Sequence, residues 1–127
     1  MIHAKPLSGA ATLVIAGLLW PGLALAANAQ KGAQVFIQCQ TCHTTQKGAA
    51  SGLGPNLFGV VGRKAGSLPG FSYSNALKQS KIVWTNDKLK LWVSGPNKMV
   101  PGTRMFFPGV SDAGKRDDLV AYLDSLK

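Results

Sequence analysis

A chain of 127 residues has room for one domain, and its 14 lysines and arginines against five acidic residues give it a formal charge of +9 at pH 7. That excess suits an acidic partner surface, but the basic residues are scattered rather than run together, which argues against nucleic acid. Two cysteines and two histidines are too few for a disulfide framework or a four-ligand zinc site once the first histidine is removed with the leader described next.

The amino-terminal stretch reads as a leader. His3 and Lys5 make a short basic head, Ala10 to Trp20 is almost wholly apolar, and Pro21-Gly22 breaks any helix there. Small residues follow, and Ala24-x-Ala26 fits a cleavage site with the cut before Ala27. A cut after Ala29 fits nearly as well. Residues 1–26 are therefore expected to be a secretory signal peptide that sends the protein to the periplasm, and residues 27–127 the folded domain. An uncleaved leader would instead serve as a membrane anchor. Cleavage leaves 13 basic residues against five acidic ones, and a body small enough to need a staple.

Beyond the leader, Asn28 is placed to cap a first helix, in which Gly32, Val35, Phe36 and Cys39 share one face. Residues 44–70 hold Gly48, Gly52, Gly54, Pro55, Gly59, Gly62, Gly66, Pro69 and Gly70, a density of breakers that predicts loops. A loop region of that length needs something to wrap around, and a large planar cofactor answers the need. Ser74–Gln79 reads as a short helix. Thr85 caps the next, where Leu89, Trp92 and Val93 share a face, and Gly95-Pro96 ends it. A loop is expected through Pro101-Gly102 and Pro108-Gly109. The last helix begins near Ser111 or Asp112, is acidic in its first half, and carries Leu119, Tyr122, Leu123 and Leu126 as its apolar stripe. The fold class is all-α, with the first and last helices packed together.

Cys39-Gln40-Thr41-Cys42-His43 is a C-x-x-C-H sequence, the signature of covalent haem attachment. Two thiols three residues apart near a helix end can reach both vinyl groups on one porphyrin edge, and the adjacent His43 is then carried under the iron. A thioredoxin-like redox pair would need a βαβ context, and none is visible. A plain disulfide leaves His43 and the loop-rich body unexplained. With His43 the sole histidine after cleavage, Met99 and Met105 are the sulfur candidates for the opposite side of the iron. His/Met ligation raises the reduction potential and closes the iron to small ligands.

From Lys31 to Leu126 the chain resembles the class I c-type cytochromes, in particular the cytochrome c2 and mitochondrial branch. The markers run in order: Lys31-Gly32-x-x-x-Phe36, the haem motif, Gly54-Pro55-Asn56-Leu57, Gly62-Arg63-Lys64, Pro69-Gly70-Phe71-Ser72-Tyr73-Ser74, Trp84, Pro101-Gly102-Thr103-Arg104-Met105 and Asp118-Leu119-Val120-Ala121-Tyr122-Leu123. The resemblance implies a small cytochrome c fold wrapped around one covalent haem c. It selects Met105 over Met99 as axial ligand and gives the Pro55 carbonyl the Nδ1 proton of His43. It implies that Tyr73 and Trp84 hydrogen-bond a buried propionate with Arg63 nearby, and that Trp92 lines the methionine side. Gly32 would allow close contact with Tyr122 where the end helices cross.

The chain also departs from that pattern. Two residues separate Phe36 from Cys39, one fewer than in the mitochondrial proteins, and Leu77 stands where a polar pocket residue is common. Asn97-Lys98 has one basic residue where two are frequent, and Ser111-Asp112 replaces a lysine pair. Lys47, Lys98 and Arg104 remain as basic residues for docking near the haem edge. The function implied is a monomeric single-electron carrier, not an enzyme. Its partners would be a cytochrome bc-type complex, an oxidase, a peroxidase or a photosynthetic centre with acidic docking surfaces. A small peroxidase or ligand sensor is the rival, but it would need an open iron and, for peroxidase work, a distal acid or base.

Overall fold

The computed structural model describes residues 2–17 and 26–127. The Pro21-Gly22 break, most of the small-residue exit and the end of the leader's apolar core lie outside the described residues. No helix among the described residues is long and apolar enough to cross a membrane.

The domain is built from helices α1 (Ala29–Phe36), α2 (Asn75–Gln79), α3 (Asn86–Ser94), α4 (Pro96–Met99) and α5 (Ala113–Asp124), with a 3-10 turn, Ile37–Cys39, running on from α1. Among the described residues the only β pairing is an isolated antiparallel bridge between Lys64 and Val83. Four helices start on side-chain caps. Asn28 Oδ1 accepts from the Lys31 amide at 3.0 Å, Ser74 Oγ from Leu77 at 3.1 Å, Thr85 Oγ1 from Lys88 at 3.2 Å and Asp112 Oδ1 from Lys115 at 2.8 Å. Each bond satisfies an amide that the first helical turn leaves without a partner.

Three local details differ from the sequence expectation. Ser74 lies outside α2 as its cap. Pro96, expected to close a helix, also opens one: at the first helical position its missing N–H costs nothing, so the short α4, which was not expected, follows directly on α3. The buried face of α5 is wider than its predicted stripe, because α5 packs against both α1 and α3. It takes in Val120 along with Leu119 and Leu123, whereas Tyr122 is half-buried and Leu126 lies past the helix end.

Helices α1 and α5 cross in close contact. A Cβ on Gly32 would overlap the Asp118 carbonyl oxygen and lie 2.8 Å from Tyr122 Cβ, so only glycine lets the backbones approach this closely. Phe36 is buried beside this crossing, its ring centroid 5.2 Å from that of Tyr122. The Asn28 amide donates to Asp118 Oδ1 at 2.7 Å, joining the start of α1 to α5. Full burial of side chains such as Phe36, Leu119 and Val120 is worth roughly 2–3 kcal/mol each. The rest of the core is formed by Val60, Ala65, Tyr73, Leu77, Trp84, Leu89, Trp92, Val93, Val100, Val110 and Leu123, with Cys39, Met99 and Met105 packed at its margin.

Candidate haem-binding site

The motif residues leave the first helix on one turn. The amides of Cys42 and His43 both donate to the Cys39 carbonyl, at 3.1 and 3.0 Å, which closes the motif's backbone into one tight turn. The two cysteines are half-buried and are not joined to each other by a disulfide. Before any attachment, burial, and then the neighbouring Cys42, pushes the Cys39 thiol up to about 11. Among the described residues no three His, Cys, Asp or Glu side chains converge where a bare metal ion would be held.

His43 is held at one nitrogen and left free at the other. Its Nδ1 lies 2.7 Å from the Pro55 carbonyl oxygen. A carbonyl only accepts, so Nδ1 carries the proton and Nε2 keeps its lone pair. Gly54 lies against the ring: a Cβ there would stand 2.7 Å from Nδ1 and 2.8 Å from Nε2. The Gly54 amide in turn donates to the Cys42 carbonyl at 2.8 Å, fixing the loop to the motif. Burial holds the imidazole below its ordinary pKa, with the Pro55 bond pulling the other way. A neutral imidazole, oriented through Nδ1 and open at Nε2, is the form in which histidine binds a metal.

Asn56 organises the loop behind His43. It is buried, and its Nδ2 donates to the carbonyls of Gln46 and Ala49 at 2.8 Å each. Its Oδ1 accepts from the Phe58 amide at 2.8 Å, an Asx turn, and its own amide donates to Ser51 Oγ at 3.0 Å. In the sequence Asn56 stands out only as one letter of the Gly-Pro-Asn-Leu run. The signal that could have found it is the tendency of asparagine to bond its own backbone two residues on. Thr103 was also missed: it is buried, and its Oγ1 accepts from the Met105 amide at 3.4 Å.

Arg63, Tyr73 and Trp84 form a second group. The Trp84 amide donates to the Arg63 carbonyl at 2.9 Å, and the Gly62 amide to the Trp84 carbonyl at 2.8 Å, so the bridge at Lys64 and Val83 draws the two segments together. The Arg63 guanidinium donates to the carbonyls of Asn56 and Phe58 at 2.8 and 2.6 Å. Burial pulls its pKa below the ordinary value, opposed by the Tyr73 hydroxyl beside it. Tyr73 Oη also accepts from the Leu68 amide at 3.3 Å, and Trp92 packs against Trp84 with ring centroids 5.1 Å apart and planes tilted by 59°. Tyr73, Trp84 and Trp92 are all buried. Leu77, too, is buried in this core.

Met99 and Met105 are both half-buried, and they face different surroundings. Met99 lines an outer groove of about 590 Å³ with Ala76, Ile82, Leu91 and Val100. Met105 follows Arg104, whose Nη2 donates to the Ser72 carbonyl at 2.6 Å and ties the methionine loop to the segment before α2.

Two thiols, an imidazole with a free Nε2 and a thioether are the donor set that covalent haem requires, and they border an apolar, aromatic-rich core. An all-helical domain with this set is a c-type haem protein. Residues 29–127 match the family model described as Cytochrome c. The cytochrome c2 of Rhodoblastus acidophilus is 45% identical over 96 residues, which are 76% of this chain and 90% of that protein. The cytochrome c2 of Rhodopila globiformis is 51% identical over 89 residues, covering 70% and 83% of the two chains. The solved structure of cytochrome cH from Methylobacterium extorquens superposes with a TM-score of 0.73 at 46% identity, over 78% of this chain and 99% of that one. The chain belongs to the cytochrome c family. It is accordingly a haem-bearing electron carrier rather than an enzyme, with one covalently attached haem c at Cys39 and Cys42.

Proposed function

We propose that this protein is a single-electron carrier of the periplasm, released from a leader of residues 1–26, with His43 Nε2 and Met105 Sδ as the axial ligands of its iron. The observation that carries this reading is the 2.7 Å contact between His43 Nδ1 and the Pro55 carbonyl, which leaves Nε2 as the free nitrogen. Met105 is favoured over Met99 because Met99 lines the outer groove, whereas the Met105 loop is tied to Ser72 just ahead of the buried Tyr73.

When bound, the haem supplies a one-electron couple. The chain's own residues do the rest. Pro55 and Gly54 fix the imidazole in one tautomer and one orientation, so little rearranges when the charge at the iron changes. The thioether of Met105 favours the reduced state, which raises the potential. Arg63, Tyr73 and Trp84 would hold a propionate of the bound haem, and the guanidinium, already donating to the Asn56 and Phe58 carbonyls, would offset its charge. Trp92, Leu77 and the surrounding aliphatic core keep water out.

Electrons come from a cytochrome bc-type complex and pass to an oxidase, a peroxidase or a photosynthetic centre, each presenting carboxylates to this basic chain. Spectroscopy tests the ligation. A low-spin reduced spectrum that carbon monoxide leaves unchanged at neutral pH is expected, converted to a carbon monoxide-binding form by Met105→Ala and preserved by Met99→Leu. A wild-type protein that binds carbon monoxide at once would instead mark a ligand sensor or peroxidase. Mass spectrometry of the periplasmic fraction should show a chain starting at Ala27 or close after it and carrying one haem; full-length protein confined to membranes would identify the leader as an anchor.

A further inference from the structure

Residues 27–127 contain two methionines, and the haem-binding site takes only Met105. A thioether bound to iron has committed a lone pair to the metal and is screened by it. Met99 keeps its sulfur unengaged. It is half-buried at the margin of the core and lines the outer groove of about 590 Å³. Two kinds of residue share that groove with it. Ile82, Leu91 and Val100 are apolar, whereas Gln79, Ser80 and Lys88 bring hydrogen-bond donors. A thioether presented to water beside such donors suits hydrogen peroxide, a small neutral oxidant that needs hydrogen bonds to its departing oxygen.

Met99 also stands at one end of a short run of bonds whose other end is Met105. Met99 is the last residue of α4, and its amide donates to the Gly95 carbonyl at 3.1 Å. The next amide, of the buried Val100, donates to Pro96 at 2.9 Å, and the Val100 carbonyl accepts from the Thr103 amide at 3.1 Å. Thr103 Oγ1 in turn holds the Met105 amide at 3.4 Å, a long and weak bond. The loop also leans on the groove wall: a Cβ on Gly102 would stand 3.3 Å from the Cβ of Ala76, which lines the groove with Met99. A change in how Met99 packs is therefore passed to Met105 through Val100 and Thr103, and the last link is the easiest to lose.

We propose that Met99 is a peroxide-oxidised switch residue: its conversion to the sulfoxide in the outer groove loosens the Met105 loop and opens the iron that Met105 closes. This rests on Met105 as axial ligand. In the oxidation, the Met99 sulfur attacks one oxygen of hydrogen peroxide. The S–O bond forms as the O–O bond breaks, so sulfur loses two electrons and the peroxide gains them. The proton on the transferred oxygen passes through solvent to the departing hydroxide, which leaves as water. The new sulfoxide oxygen is a strong acceptor, and the apolar edge of the core is a poor place for it. The side chain turns towards solvent and the donors of the groove, and Val100 loses the packing that held the loop.

The test treats oxidised, haem-loaded protein with hydrogen peroxide, removes the excess with catalase, and then reduces the protein under carbon monoxide. Peptide mass spectrometry should find the added oxygen at Met99 about tenfold sooner than at Met105. Counted per intact haem, the share of protein that binds carbon monoxide should rise about tenfold as Met99 is oxidised. Methionine sulfoxide reductases, one for each epimer, should return it to the starting value. Met99→Leu should stay closed under the same peroxide. Met99→Gln, which puts a polar acceptor of similar length in the groove, should bind carbon monoxide with no peroxide added. Four results overturn the switch and leave Met105 ligation standing: a Met99 that resists oxidation, a sulfoxide that leaves carbon monoxide binding unchanged, a Met99→Leu protein that opens as the wild type does, and a Met99→Gln protein that stays closed. Untreated wild-type protein that binds carbon monoxide at once, or a Met105→Leu protein that stays closed, overturns Met105 ligation and the switch with it.

Discussion

Helices α1 and α5 hold each other directly by packing, while the run from Thr44 to Ser74 is fixed by hydrogen bonds along its own backbone and to Ile82, Trp84 and Leu126, with Val60, Ala65 and Tyr73 as its contribution to the core. At the helix crossing, Gly32 lets two backbones touch, and Phe36, Leu119 and Leu123 fill the space beside them with apolar side chains. Between Thr44 and Ser74 there is no helix, and the chain is fixed by Asn56 on Gln46 and Ala49, Arg63 on Asn56 and Phe58, and Pro55 on His43. The first region derives its stability from packing that the polypeptide supplies. The second arranges backbone around a site and depends on what fills it. The same chain is thus half scaffold and half sleeve, and the site lies where the two meet, at the turn after α1.

The largest test removes the filling. A Cys39→Ala, Cys42→Ala chain expressed without attached haem should lose its cooperative thermal transition and most of its helical circular dichroism, because a body of about 100 residues without its cofactor has too little core. Residual protection from hydrogen exchange, where any survives, is expected in α1 and α5 and not between Thr44 and Ser74. Protection in the loop segment without haem would break the contrast.

Acid should reach the same point by another route. Burial favours the neutral form of His43 in the folded state, so its contribution to stability is present above its ordinary pKa near 6.5 and is lost as pH falls through the lowered folded value. In the haem-loaded protein the iron also competes with the proton for Nε2, so an absorption titration should keep the low-spin band at neutral pH and lose it only in acid. Loss of the band above pH 6.5 would contradict a buried, Pro55-bonded imidazole.

Two substitutions then separate the regions. Gly32→Ala drives a methyl into the Asp118 carbonyl and should cost about 3 kcal/mol, read as a fall in the denaturant midpoint of the whole domain. Asn56→Ala deletes both donor bonds and the acceptor of the Asx turn and should cost about 2 kcal/mol. The expected signature is different: amides near Gln46 to Phe58 exchange faster, while those of α1 and α5 keep their protection. Global loosening by Asn56→Ala would mean that the loop supports the helices as much as it surrounds the site.

The two regions were unequally legible. Helix periodicity and capping residues announced α1, α3 and α5, because an amphipathic helix writes its buried face into local spacing. The wider buried face of α5 was not visible there, since Val120 is buried by α5 having two neighbours, a tertiary fact. The turn at Pro96 escaped because proline signals both an end and a beginning, and only the backbone decides which. In the loop region the glycines and prolines announced irregular chain without saying how it runs. Cys39, Cys42 and His43 were readable as a contiguous motif with one chemistry. Asn56 and Thr103 were not, because their work is to bond backbone groups that carry no residue-specific mark. The Pro55 contact with His43 followed from family likeness, not from local composition, and the bonds of Arg63 to the Asn56 and Phe58 carbonyls were not foreseen by either.

The smallest expected effect concerns how α3 joins the helix pair. Lys90 Nζ lies 3.1 Å from Asp117 Oδ1, the one ion pair between two helices among the described residues, with side chains 40% and 48% exposed. At that exposure solvent screens the attraction, and fixing two mobile side chains offsets much of what remains, so Lys90→Gln or Asp117→Asn should change stability by less than about 0.5 kcal/mol. The contact between α3 and α5 instead follows from Leu89, Trp92 and Val93 on one side and Leu119, Val120 and Leu123 on the other, all buried. Val120→Ala should accordingly cost several times more than either charge change, at about 1–2 kcal/mol, in the same denaturant titration. If the charge variants prove as damaging as Val120→Ala, then α3 is held by electrostatics and belongs with the hydrogen-bonded sleeve. If they are silent, α3 belongs with α1 and α5, and the packed scaffold extends to Trp92, which lies tilted against Trp84 at the wall of the site.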